Sequence, residues 1–109
     1  MRAIRINAKD RLIEVVEWET LRDLQRHVGG LIERVELEGL DRYSLLVDEE
    51  GLCKELDYGF VIKGYPNPIM GNGLFVGDNC ENFVGTDIYD SLIKRMVTWI
   101  LRPSLDSDQ

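Results

Sequence analysis

The stretch TLRDLQRHVGG, residues 20–30, carries a full set of helix signals and determines how the chain around it is divided. The hydroxyl of Thr20 can cap a helix N-terminus, and Asp23 stands three residues later, as in a capping box with Asp in place of Glu. Gly29 and Gly30 supply a left-handed end. The apolar residues share one helical face: Leu21, Leu24 and Val28. These signals predict a first helix that ends at the two glycines.

Strands are predicted on both sides of this helix. Residues 2–7 alternate between apolar and polar side chains, and residues 12–18 are β-branched and apolar, so the two segments form an N-terminal hairpin. Residues 31–37 alternate again and indicate a strand with one wet face. Residues 43–48 are a more continuous apolar run, which is typical of a strand near the centre of a sheet.

The following segment, residues 52–70, lacks clear periodicity apart from a helical turn at residues 52–56. Two prolines, Pro66 and Pro68, restrict their neighbours and predict an irregular backbone there. A turn at Asn72 and Gly73 leads into a short buried strand at residues 74–77. A loop follows at residues 78–85.

A final helix is predicted from Asp87 to Leu101, capped by Thr86 and terminated by Pro103. Many of its positions are apolar, so it is either largely buried or in contact with a second subunit. Four apolar residues form a stripe of helical period and are the candidates for self-association in a homodimer: Ile88, Leu92, Met96 and Trp99.

The predicted order is β-β-α-β-β-β-α, which belongs to the α+β class. We expect a mixed β-sheet of about five strands with two helices packed on it, similar to a β-grasp or roll. One domain would span residues 1–103, and residues 104–109 would form a polar C-terminal tail.

The chain has 109 residues and a net charge of -7, and the acidity is concentrated in residues 14–57. That segment holds thirteen acidic and five basic residues. Direct nucleic-acid binding is not expected, because phosphate neutralisation needs clustered Lys and Arg. The acidic surface is either a solvated, solubilising face or a site for a basic protein partner. No apolar run is long enough for a membrane span and no signal peptide is evident, so we expect a cytoplasmic protein.

Few residues are available for catalysis. His27 is the single histidine and is interpreted as a charge partner of the helix C-terminus. Cys53 and Cys80 are interpreted as reduced thiols, and with His27 they lack metal-ligand spacing. Neither a nucleophile motif nor a dinucleotide fingerprint is present. We therefore expect neither an enzyme nor a bound cofactor or metal.

Binding candidates come from the acidic turn and from the segment without periodicity. Aromatic and amide side chains in a long irregular segment suit a binding surface or a small pocket, although they could instead cover the open end of the sheet. The candidate residues are Asp48, Glu49, Glu50, Tyr58, Tyr65 and Asn67.

Residues 24–37 resemble the L-Q-x-x-V-G-G-x-I-E-x-V core of the DUF3846 family, a domain of unknown function. The acidic strand-turn at residues 46–52 and the motif G-x-x-L-F-V-G at residues 71–77 are similar to the same family. The resemblance covers residues 1–85, and Pro66 and Asn67 correspond to a prolyl-asparagine pair. It implies a protein of phages, plasmids or their bacterial hosts and carries over no catalytic residue.

Two functions remain open at the level of sequence. The first is a protein-binding accessory factor of a phage or mobile element, such as an inhibitor of a host defence or regulatory protein. The alternative is a small-molecule or nucleotide-binding module that uses residues 52–70 and the loop at residues 78–85.

Overall fold

A computed structural model describes residues 1–51 and 54–101. The predicted polar tail and part of the helical turn predicted at residues 52–56 lie outside the described residues, as does Cys53. The elements are β1 (Arg2–Asn7), β2 (Leu12–Glu17), α1 (Leu21–Val28), β3 (Ile32–Val35), β4 (Tyr43–Asp48), β5 (Tyr58–Ile62), β6 (Tyr65–Met70), β7 (Gly73–Asp78), β8 (Phe83–Val84), α2 (Asp90–Met96) and β9 (Val97–Leu101).

The helix signals of the N-terminal half are confirmed. Thr20 Oγ1 accepts a hydrogen bond from the Asp23 N–H at 3.2 Å, and the Asp23 carboxylate accepts from the Thr20 N–H at 3.2 Å, which completes the capping box. These two backbone donors have no partner within the helix, so the bonds stabilise its first turn. Gly29 ends the helix with φ 100°, a conformation that favours glycine.

Sheet A forms the central layer, with strand order β2-β1-β7-β4-β3 and β8 paired to β7. All of its pairs are antiparallel. Because side chains alternate along a strand, β1, β4 and β7 send apolar residues to both faces. One face packs on α1, through Ala3, Leu24, Val28, Leu46, Leu74 and Val76.

Sheet B covers the opposite face of sheet A and has strand order β6-β5-β9, again antiparallel. Phe60 of β5 is fully buried and lies over Gly73 of β7, where the missing side chain leaves room for its ring. Ile93 of α2 closes the same core. The layers therefore run in the order α1, sheet A, sheet B, and α2 packs against the sheet B side.

The α+β class is confirmed. The prediction of a single mixed sheet of about five strands is wrong. The described residues form nine strands in two antiparallel sheets. The segment predicted to be irregular contains the β5–β6 hairpin. Its two prolines fit because β6 is an outer strand: Gly71 donates to Tyr58 O at 2.8 Å, so by alternation the N–H that Pro68 lacks would point away from β5.

The predicted helix over residues 87–101 is also corrected. Helix α2 begins at Asp90, after Tyr89, and Thr86 caps no helix: its hydroxyl accepts from the Ile88 N–H at 3.2 Å. After Met96 the chain becomes strand β9, paired with β5 through Tyr58↔Leu101 and Ile62↔Val97. β-branched and aromatic residues favour a strand once a partner edge is available.

The close approach of Phe60 to Gly73 predicts the effect of adding one methyl group at residue 73. A Cβ at residue 73 would lie 2.8 Å from Phe60 Cζ and 3.1 Å from Leu45 Cδ1, both fully buried. We expect Gly73→Ala to lower the free energy of unfolding by about 1–3 kcal/mol. Urea titration measures this loss. Phe60→Leu should make the alanine less costly in the double variant; simple additivity would contradict a direct contact between the sheets.

Candidate functional site

Hydrogen bonds to the side chain of Asp48 hold the start of the acidic turn at the end of β4. Asp48 is buried, and its carboxylate accepts from Lys54 Nζ at 2.6 Å and from the Glu50 N–H at 2.9 Å. The hydrogen bond to Asp48 is the main cause that raises the pKa of Lys54 above its ordinary value. Glu49 and Glu50 remain exposed. The turn thus presents two carboxylates to solvent on a fixed backbone.

A small cleft of about 140 Å³ lies beside this turn, between the end of the β3–β4 hairpin and β6. We call it the acidic cleft. Glu33 and Glu49 contribute carboxylates to its lining, while Tyr65 and Asn67 contribute a phenol ring and an amide. Asp48 and Gly51 also line it, and its other walls are apolar: Val35, Val47, Pro68, Ile69 and Met70.

A second cleft, of about 400 Å³, lies on the other side of Asp48 and is called the Lys54 cleft. Tyr58 is at its rim, with 37% of its surface exposed. Asn72 links the walls, since its side chain accepts from the Ala8 N–H at 3.1 Å and donates to His27 O at 3.5 Å. Asp48 separates the two clefts and lines both.

A third site surrounds Cys80, which is exposed with φ 76°. Beneath it, Ser44 is fully buried and donates to Asp78 at 2.7 Å, while Arg34 donates to Ser44 at 2.8 Å and pairs with Asp78 at 2.9 Å. The Ser44 hydroxyl is the largest cause that holds the pKa of Asp78 below its ordinary value. This network ties β3, β4 and β7 together.

The structure brings four of the six predicted binding residues to one place: Asp48, Glu49, Tyr65 and Asn67 line the acidic cleft. Tyr58 lies in the Lys54 cleft, and Glu50 is exposed on the turn. Asp48 differs from the other three because it is buried in its ion pair. Glu33 and Lys54 were missed, since the sequence shows them only as ordinary charges on a strand and beside a turn.

The four predicted self-association residues do not share a helical face. Leu92 is 41% exposed on α2, and Met96 lies at the end of that helix. Ile88 is buried before the helix begins, and Trp99 stands on β9, partly buried against the core. The predicted helical stripe is therefore wrong.

The groups considered for catalysis are dispersed. His27 is close to the C-terminal end of α1, where its Nε2 lies 2.9 Å from Glu17 O. Cys80 lies on a loop at the opposite end of the β7 strand from the Asn72 turn. Within residues 1–51 and 54–101, no cluster of three His, Cys, Asp or Glu side chains could hold a metal ion.

The fold and the clefts define a small three-layer α+β domain with a carboxylate-lined recess at one edge. The chain belongs to the DUF3846 family, a domain of unknown function whose family model matches residues 1–98. The match includes all of α2 and the start of β9, beyond the part that carries the sequence motifs. No curated protein and no solved structure matches the chain. Neither described helix is long and apolar enough to cross a membrane.

The Asp48–Lys54 pair predicts unequal roles for two lysines. Lys54→Met removes the cation beside a carboxylate that is only 4% exposed, so we expect a clear fall in the denaturation midpoint. Lys94→Met is the control, because Lys94 and Asp90 are 3.5 Å apart and well exposed, and its cost should stay below about 0.5 kcal/mol. Equal losses in chemical denaturation would contradict a structural role for Lys54.

The lowered pKa of Asp78 predicts acid sensitivity. Its contribution is fully present above the unfolded value of 3.8 and is lost as the pH falls through the lower folded pKa. Asp78→Asn should cost roughly 1–2 kcal/mol at neutral pH and should flatten the fall in stability below about pH 4. Urea midpoints measured over this range test the prediction. Asp41→Asn, on an exposed side chain, should keep the wild-type slope.

Proposed function

We propose that this protein acts by binding a protein partner and not by catalysis, and that the acidic cleft takes a Lys or Arg side chain from a basic segment of that partner. The carrying observation is the convergence of Glu33, Glu49, Tyr65 and Asn67 from three separate segments into one cleft. Carboxylates and an aromatic ring both attract a cation, and the amide oxygen of Asn67 can accept a hydrogen bond from it.

The walls of the cleft support the same ligand chemistry. Val35, Val47 and Ile69 provide an apolar lining, against which the alkyl stem of a long basic side chain can lie while its charged end meets the carboxylates. At about 140 Å³ the cleft is smaller than typical small-molecule sites, which start at roughly 300 Å³. A single side chain therefore suits it better than a nucleotide.

Charge also argues against nucleotide binding by residues 52–70 and the loop at residues 78–85. Residues of the β5–β6 hairpin and of the 78–85 loop do meet in one cleft of about 570 Å³, lined by Tyr65, Pro66 and Cys80. Its single basic side chain, Arg34, already pairs with Asp78, and acidic residues outnumber it: Glu36, Glu38 and Asp41. A phosphate would meet repulsion there.

The Lys54 cleft supports the second candidate function, binding of a small molecule. Its volume of about 400 Å³ falls in the small-molecule range, and Asn7, Asn72 and Tyr58 offer polar groups around it. Charged groups of both signs line the cleft, with Lys9 and Lys54 balanced by Asp10 and Asp48, and Asp48 already holds Lys54 at 2.6 Å. A ligand without net charge therefore suits it better than an anion.

The biological setting belongs to the same proposal. A role as an accessory factor of a phage or mobile element, acting in the cytoplasm on a host defence or regulatory protein, is supported by the resemblance of the motifs at residues 24–37 and 71–77 and by the acidic composition. An inhibitor that occupies a basic surface of its target needs no catalytic group of its own.

The proposal is tested by NMR titration with a short arginine-rich peptide. We expect amide shifts at Glu33, Glu49 and Asn67, and binding that weakens with salt. Glu33→Gln with Glu49→Gln should weaken binding roughly tenfold, because both carboxylates are lost.

Glu17→Gln with Glu19→Gln is the matched control, since it removes the same charge from exposed positions at the opposite edge of sheet A. If both double variants weaken the peptide equally, only the net charge matters and the cleft is not the site. Shifts confined to Tyr58 and Asn72 with a small molecule, and none with the peptide, would favour the Lys54 cleft instead.

A further inference from the structure

The outer strands of the two sheets differ in how they are protected from pairing with other chains. An exposed strand edge is normally interrupted by charge or proline. Glu14 and Glu17 lie on β2, Glu33 and Arg34 on β3, and Pro66 and Pro68 on β6. Strand β9 consists of Val97, Thr98, Trp99, Ile100 and Leu101 and has neither feature. The remaining outer strand, β8, spans only Phe83–Val84 and is too short to offer much of an edge. In the described part of the chain, β9 is thus the one longer outer strand without such protection.

The backbone of β9 also has a defined free side. Lys63 N–H donates to Met96 O at 3.0 Å, so in an antiparallel pair the residues at alternate positions after Met96 face β5. Val97, Trp99 and Leu101 therefore direct their N–H and C=O groups away from β5. No hydrogen bond within residues 1–51 and 54–101 reaches these groups.

We propose that β9 pairs antiparallel with β9 of a second copy of this chain, about a two-fold axis at Trp99. In this register the outward-facing residues meet each other, because Val97 opposes Leu101 of the second copy and Trp99 opposes its equivalent. About six main-chain hydrogen bonds can form. The cross-strand pairs are apolar throughout, apart from Thr98 opposite Ile100, and the interface is self-complementary as a two-fold axis requires.

Charge at the two ends of β9 supports the antiparallel second copy over other occupants. Lys63 and Arg95 lie exposed at its N-terminal end, whereas Asp57 lies exposed beside its C-terminal end, next to Tyr58 opposite Leu101. Antiparallel pairing brings the basic end of one copy to the acidic end of the other. A parallel pair would instead bring like charges together.

This surface is independent of the acidic cleft. Strand β9 forms one edge of sheet B, and β6, which lines the acidic cleft, forms the other. Loss of peptide binding would therefore leave the pairing intact, and a strict monomer would leave the cleft available.

Sedimentation of the full chain over a range of concentrations gives the first measurement. We expect a reversible dimer with about twice the 12.6 kDa mass of the chain. Amide hydrogen exchange then identifies the contact. Val97, Trp99 and Leu101 should be protected at high concentration and exchange freely at low concentration, whereas Thr98 and Ile100 should be protected at both because they bond to β5. A monomer throughout, or a dimer in which the three outward amides exchange freely, overturns the proposal.

A pair of variants at residue 101 distinguishes the contribution of the backbone N–H to dimerisation from that of the side chain. Leu101 is 55% exposed, so Leu101→Pro removes an outward N–H with little disturbance of the core. It should raise the dimer dissociation constant roughly tenfold or more relative to Leu101→Ala, which keeps the N–H. Equal dissociation constants for two folded variants would overturn pairing through the strand edge.

Discussion

The central sheet has apolar side chains on both faces, so neither face can be left in water, and the rest of the molecule is arranged to meet that requirement. Leu46, Leu74 and Val76 need the cover of α1, whereas Leu45 and Phe75 need the cover of sheet B. Sheet B can approach closely because residue 73 is a glycine and the ring of Phe60 occupies the space of its side chain. The β5–β6 hairpin, α2 and β9 therefore serve chiefly to cover the second face.

Elements whose signals lie within a few consecutive residues could be predicted from the sequence. Helix α1 follows from its capping box and its glycine end, and β1 and β4 were predicted with the bounds that the structure has. Strand β9 could not be predicted in this way. Leu92, Met96 and Trp99 fit a helical period, but Val97 to Leu101 find their hydrogen bonds in β5, nearly forty residues earlier in the chain. Long-range pairing prevailed over local periodicity.

The candidate site was predictable in part for the same reason. The acidic turn and the aromatic residues after it were visible as unusual composition, and Glu49, Tyr65 and Asn67 do line one cleft. The contribution of Glu33 depends on the β3–β4 register, in which Ile32 opposes Asp48, and no local signal gives that register. The sequence also could not show that Asp48 is enclosed by Lys54, because the ion pair forms only when the segment after the turn folds back.

The two edges of sheet B differ in whether they can pair with another strand. Strand β6 is closed to pairing by its prolines and carries the acidic cleft beside it, whereas β9 is open to pairing. Joining two copies through β9 would create a continuous six-stranded sheet with an acidic cleft near each outer edge. Two clefts on one rigid body can engage two basic segments of the same target, and the second contact is then intramolecular, which strengthens weak single-side-chain recognition without new contacts.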